Sequence, residues 1–142
     1  MKYAVSACLL GKNCKYSGGN NYNEKLCEYL KAHEVIALCP EVMGGMPTPR
    51  TPFELVNGVA INKAGENVHR ELTEGVRVCL ALLHGQTVDC VILQPRSPSC
   101  GVGKIYDGSF TGRLTGGNGL LAQKLSENGY RVVSAEDFTE NL

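Results

Sequence analysis

The chain has 142 residues, 43% apolar and 20% charged, with 14 basic and 14 acidic side chains and a formal net charge of zero. That length suits one domain, residues 1–142, able to bury a real core without metal or disulfide staples. Balanced charge argues against a non-specific grip on nucleic acid, which needs a basic face to displace counterions, but leaves room for a small basic pocket.

In chain order, KYAVSAC (2–8) is the first predicted strand, short, apolar and partly β-branched. The apolar stretch around it is too short for a membrane span and too poorly flanked for a signal peptide, so the expected setting is the cytoplasm, with no membrane partner. Residues 22–33 carry Leu26 and Leu30 at i,i+4 and predict a helix; EVIALC (34–39) is the second strand. FELVNGVAIN (53–62) places Asn-Gly between apolar runs and predicts a hairpin. Residues 67–84 align Val68, Leu72, Val76, Cys79, Leu80 and Leu83 along one helical face, with Asn67 as the cap. VDCVILQ (88–94) is the third strand, and the turn signals of GKIYDGSFTGRL (103–114) predict another hairpin at the rim. A last helix over 119–128, stopped by Gly129, precedes the fourth strand, YRVVSA (130–135). Continuous apolar runs suit a sheet covered on both faces. The alternation predicts a three-layer, Rossmann-like α/β sandwich on a mostly parallel sheet of four to five strands, with a small β-hairpin excursion.

Seven cysteines is a high and odd number, and without an export signal it does not describe a disulfide framework. In a parallel sheet all strands end on one edge, where ligands bind. Cys8 closes the first predicted strand and Cys14 lies in the loop beyond it. Cys39 closes the second, two residues before Glu41. Cys100 follows the third in PRSPSCG, with Ser97 and Ser99. Three consecutive strands thus deliver a thiol to the same edge. Cys27 and Cys79 fall in helical patterns and Cys90 inside a strand, where small buried hydrophobes are expected. No C-x-x-C occurs, which weakens both a structural zinc site and a thioredoxin-type redox pair. Single cysteines from separate loops suit an iron–sulfur cluster. Three thiolates on a four-iron cube leave one iron open, a soft Lewis acid that favours sulfur.

SACLLGKNCKYSG, CPEVMGGMPTPRTP, SPSCG and IYDGSFTG, in this order, resemble the thiouracil desulfidase family over essentially the whole chain. The resemblance implies a [4Fe-4S] cluster held by three cysteines and a non-redox replacement of C=S by C=O on a small thiolated base or nucleotide, with release of sulfide. By motif, Cys8 and Cys100 are cluster ligands. The chain reads VMGG where some longer relatives have an additional cysteine, so the third ligand is Cys39, by strand-end geometry, or Cys14. Glu41 is the candidate general base for a water, and Ser99 or Ser97 would donate a hydrogen bond or relay a proton. Arg50, between prolines in PTPRTP, either orients a substrate carbonyl or phosphate or caps a carbonyl of its own loop; Ser6 is the other substrate-binding candidate. Two rivals stand beside this reading: a module that binds a cluster or sulfide without turnover, and a structural zinc protein. GVGKIY lacks phosphate-loop spacing, TGGNG (115–119) reads as a flexible turn, and His33, His69 and His84 are expected on the surface.

Overall fold

The computed structural model describes residues 1–142. Its elements in order are β1 (Lys2–Ser6), a 3-10 turn (Ala7–Leu10), α1 (Glu24–Leu30), β2 (Glu34–Leu38), α2 (Pro40–Met43), β3 (Phe53–Val56), β4 (Val59–Asn62), α3 (His69–Leu83), β5 (Cys90–Leu93), β6 (Lys104–Tyr106), β7 (Leu114–Gly116), α4 (Leu120–Glu127), β8 (Val132–Ser134) and α5 (Ala135–Glu140). The four predicted strands form one sheet in the order β2-β1-β5-β8, every pair parallel.

Alternation along each strand divides the core between two faces. Ala4, Val91 and Leu93 point to one side, where Leu72, Val76, Cys79 and Leu83 of α3 and Leu121 and Leu125 of α4 cover them. Tyr3, Val5, Cys90 and Ile92 point to the other, under Leu26 and Leu30 of α1 and Ala135 of α5. The expected three layers are therefore present. From β1 the chain steps outward to β2 through α1, then returns across β1 to β5 through α3, so its winding reverses between β1 and β5. A preference for right-handed crossovers places α1 and α3 on opposite faces for that reason.

The hairpin at Asn57-Gly58 forms as predicted. Both residues have positive φ, 50° and 79°, the backbone a two-residue turn needs to match strand twist. β6 and β7 make the second hairpin. Cys79 and Cys90 are buried as expected, while Cys27 is half-buried and gives its thiol to Leu9 O.

Other details depart from the sequence reading. The first strand stops at Ser6, because residues 7–10 wind into the 3-10 turn that Gly11 closes at φ 92°. Ala135, expected as the end of the fourth strand, instead opens α5, whose cap Ser134 accepts a hydrogen bond from Asp137 N at 3.2 Å. α2 and α5 are too short to show a helical period. His33 and His69 are half-buried rather than superficial: His33 stacks on Tyr29, and His69 Nδ1 accepts from Ala60 N at 3.1 Å. No helix is long and apolar enough to cross a membrane.

α2 lies against α3 backbone to backbone. A β-carbon built on Gly75 would come within 1.6 Å of Pro40 O, and one on Gly44 within 1.9 Å of Glu71 O. Glycine inside a helix is unfavourable relative to alanine; here it is what lets α2 sit down on α3, and α2 carries Glu41.

Candidate functional site

The reversal between β1 and β5 opens a crevice at their carboxyl ends, the place where open α/β sheets bind ligands. Ser6, the last residue of β1, is buried and its Oγ accepts from Gln94 N, just past β5, at 2.9 Å. That bond ties the two strand ends together at the crevice floor. Above it lies a cavity of about 490 Å³ whose wall includes Ser6, Cys8, Cys14, Cys39, Cys100, Glu41, Arg50, Ser97 and Ser99. Every site residue singled out from the sequence is in this one wall.

The thiols arrive from different directions. Cys8 comes from the 3-10 turn after β1, Cys14 from the loop beyond, Cys39 from the residue after β2 and Cys100 from the loop after β5. Burial pushes the Cys8 thiol up from its ordinary value; an Asn21 side-chain hydrogen bond pulls the other way, and nearby Cys39 and Glu41 add to the rise. Cys100 is raised chiefly by burial, against a hydrogen bond from Ser6, with Cys8, Glu41 and Cys39 pushing further. Cys14 is pushed up to about 12, first by burial and then by Cys39, with Arg50 opposing. Cys8 and Cys100 thus share a site in which ionising one thiol would raise the other, and Cys39 Sγ stands 4.0 Å from Cys14 O. The buried thiols stay protonated by themselves, and a cationic metal group is what would convert them to thiolates.

No three His, Cys, Asp or Glu side chains are gathered tightly enough to grip a metal ion. A single zinc needs its sulfurs all about 2.3 Å from one centre; a four-iron cube spreads its thiolates wider, over separate irons. A wall of soft sulfur donors around a volume of this size fits the larger group.

The polar half of the wall is a directed network. Glu41 Oε1 accepts from Arg50 Nε at 2.9 Å and faces Arg50 Nη2 at 2.8 Å; the two side chains are only 16% and 6% exposed. Glu41 Oε2 accepts from Ser99 Oγ at 2.7 Å. Ser99 Oγ is 3.2 Å from Ser97 Oγ, which accepts from Cys100 N at 2.7 Å. A hydroxyl has one proton. Since Ser99 gives its own to the carboxylate, Ser97 must be the donor in the serine pair. The chain runs from the Cys100 amide through Ser97 and Ser99 to Glu41, and each group is aligned by the next.

Arg50 also donates to Pro47 O at 3.1 Å, Thr48 Oγ1 at 3.0 Å and Cys14 O at 2.7 Å. Its fork is thus directed at groups of the chain, and of its two expected uses the loop-capping one is visible. It binds the Cys14 loop to the α2 loop and sets Glu41 between them. The SPSCG loop is held in turn by α4: Leu120 N donates to Pro98 O at 3.0 Å and Leu121 N to Ser99 O at 2.8 Å. Those bonds consume amides at the start of α4, and TGGNG, expected as a flexible turn, instead ends β7 with Thr115 and Gly116 and leads through residues 117–119 into the helix. Gly119 is needed there, since a β-carbon would lie 2.5 Å from the Ser99 carbonyl carbon.

Sequence reasoning did not find Asn21, Glu54, Lys63, Tyr106 and Phe110, which also line the cavity. Tyr106 and Phe110 lie in a quoted motif without having been given roles, and Glu54 sits beside the Asn-Gly turn. A glycine at position 75, in mid-helix, was the available sign of a close helix crossing.

Fold and site together define a doubly wound α/β domain with a thiol-lined cavity at its switch point. Comparison with known proteins then gives the family. A family model for 2-thiouracil desulfurase matches residues 4–137, and this chain belongs to that family. It is 35% identical to the uncharacterised protein YbbK of Bacillus subtilis (strain 168), across 97% of this chain and 98% of that one. Among solved structures it is similar to the [4Fe-4S]-dependent thiouracil desulfidase TudS, with a TM-score of 0.91, 36% identity, and coverage of 98% of this chain and 93% of the other.

Proposed function

We propose that this protein is a cluster-dependent desulfidase that converts a thiolated pyrimidine of the 2-thiouracil type to its oxo form and releases sulfide. The observation that carries the reading is the convergence of Cys8, Cys39 and Cys100 on one cavity with the Glu41–Ser99–Ser97 network in its wall. The similar TudS structure is [4Fe-4S]-dependent. Cys8, Cys39 and Cys100 would hold such a cluster here, with Cys14 as the alternative third ligand. When bound it supplies an open iron, a Lewis acid for thiocarbonyl sulfur.

The chain's own groups do the rest. Glu41 is the base that takes a proton from the attacking water, with Arg50 holding the carboxylate in place and balancing its charge. Ser99 and Ser97 give the proton a route along the cavity wall. No net electron transfer is involved: a C=S bond is exchanged for C=O, and water's protons balance the departing sulfide. The substrate is a small thiolated base or nucleotide. A cavity of about 490 Å³ lies within the range of small-ligand sites, roughly 300–1,000 Å³, and the net charge of zero favours no polyanionic partner.

The test is anaerobic reconstitution followed by measurement of iron, acid-labile sulfide and sulfide released from 2-thiouracil. About four irons per chain and multiple-turnover sulfide release are expected. Protein that takes up stoichiometric zinc but no iron would favour the zinc rival. A loaded cluster without turnover would favour the binding module.

A further inference from the structure

The loop of residues 107–112, DGSFTG, closes one side of the cavity, and its backbone is held by a side chain from another element. Glu54 of β3 accepts from Gly108 N at 2.9 Å and from Phe110 N at 3.2 Å, both through Oε1. Gly108 is pressed so closely onto β3 that a β-carbon there would lie 2.8 Å from Leu55 O. The loop takes positive φ at Gly108 (93°), Gly112 (79°) and also Phe110 (60°). Glycine serves that conformation at little cost; phenylalanine seldom adopts it. A bulky ring kept at a position where the backbone would accept glycine more easily signals a task for the ring. Phe110 lines the cavity, as do Phe53, Tyr16 and Tyr106. Two of the chain's three phenylalanines and two of its six tyrosines therefore meet the space that faces the thiols.

We propose that Glu54 is a positioning residue for the reaction assigned above: by gathering the Gly108 and Phe110 amides it fixes the Phe110 ring as a wall against which the planar pyrimidine lies. The inference rests on the desulfidase reading for its substrate, but binding of a pyrimidine can be read without turnover. Aromatic stacking accepts any base face, so the wall orients the ring and leaves discrimination of C=S to the sulfur-binding side of the cavity. A carboxylate suits this post because one charged oxygen can accept from two amides at once.

The chain contains no tryptophan, so Phe110→Trp installs a single fluorophore in the proposed wall. In cluster-loaded Phe110→Trp protein, 2-thiouracil and uracil should both quench the emission saturably, after correction for ligand absorption. Adding Glu54→Ala should shift the emission to the red and weaken apparent binding about tenfold, the scale of one lost base–aromatic stack. Glu54→Gln, whose amide oxygen can still accept both bonds, should restore binding. In the Phe110 background, Glu54→Ala and Phe110→Ala should each raise KM about tenfold with kcat within about threefold of wild type, the signature of lost uniform binding. Phe110→Ala gives the same reading should Glu54→Ala fail to fold. Unchanged KM in both variants, absence of any saturable quenching, or failure of Glu54→Gln to restore binding would each overturn the proposal. Quenching without sulfide release would defeat the desulfidase reading alone and leave the wall standing.

Discussion

Cys79 and Cys100 are both buried, and burial raises both thiols, Cys79 to about 12. What surrounds them differs. Cys79 sits between α3 and the sheet with its sulfur 3.4 Å from Met43 Sδ, and nothing around it favours a thiolate. At the carboxyl edge the rise of Cys100 is opposed by the Ser6 hydroxyl, and that of Cys8 by the Asn21 side chain. The same residue type is a small hydrophobe in one region and, on the reading proposed above, a cluster ligand in the other. Burial alone does not separate the two; position does, since Cys100 stands in the cavity wall at the strand ends and Cys79 does not.

The sharpest way to break this contrast is to remove one thiol from each region. Cys100→Ala is expected to abolish iron and acid-labile sulfide uptake almost completely, measured per chain after reconstitution. Cys79→Ala should keep the full iron content and lose only stability, about 1 kcal/mol, read as a shift in the denaturation midpoint. Retention of iron by Cys100→Ala would erase the distinction.

The next largest effect is on turnover. Glu41→Gln should lower kcat for sulfide release by roughly 10²–10⁴-fold, the usual worth of a general base, with iron content unchanged. Gly75→Ala should act on both regions, because its methyl group would meet Pro40 O, 1.6 Å away in the present geometry. We expect a loss of about 1–3 kcal/mol in urea unfolding and a fall in activity as α2 and Glu41 are displaced. Ser97→Ala is the mildest. It leaves the Cys100 amide without its acceptor and should cost about 1 kcal/mol of stability, with a reduction in rate smaller than that of Glu41→Gln.

Much of this was readable before any coordinates. The β-branched runs marked the four strands, Asn57-Gly58 marked the hairpin, and strand-end logic sent Cys8, Cys39 and Cys100 to one edge. α2 escaped because four residues hold barely one turn, too little for a period to appear. The role of Gly75 escaped because close approach is a property of two backbones, and Pro40 lies 35 positions away along the chain. Arg50 was legible as a rigidly placed cation, but not as the clasp joining the Cys14 carbonyl to Glu41. Glu54 was passed over altogether: a carboxylate beside a hairpin turn carries no local mark of the loop amides it collects.

Sequence by itself determined what local rules control: the alternation of strands and helices, the turn chemistry, and the kinds of reactive group available at the strand ends. Only the tertiary structure decided which of those groups share a cavity, which acceptor each donor finds, and which carboxylate holds which loop. The physical reason is that a hydrogen bond or a β-carbon clash depends on separations of a few tenths of an ångström between residues far apart in the chain, and nothing in a local pattern encodes such a separation.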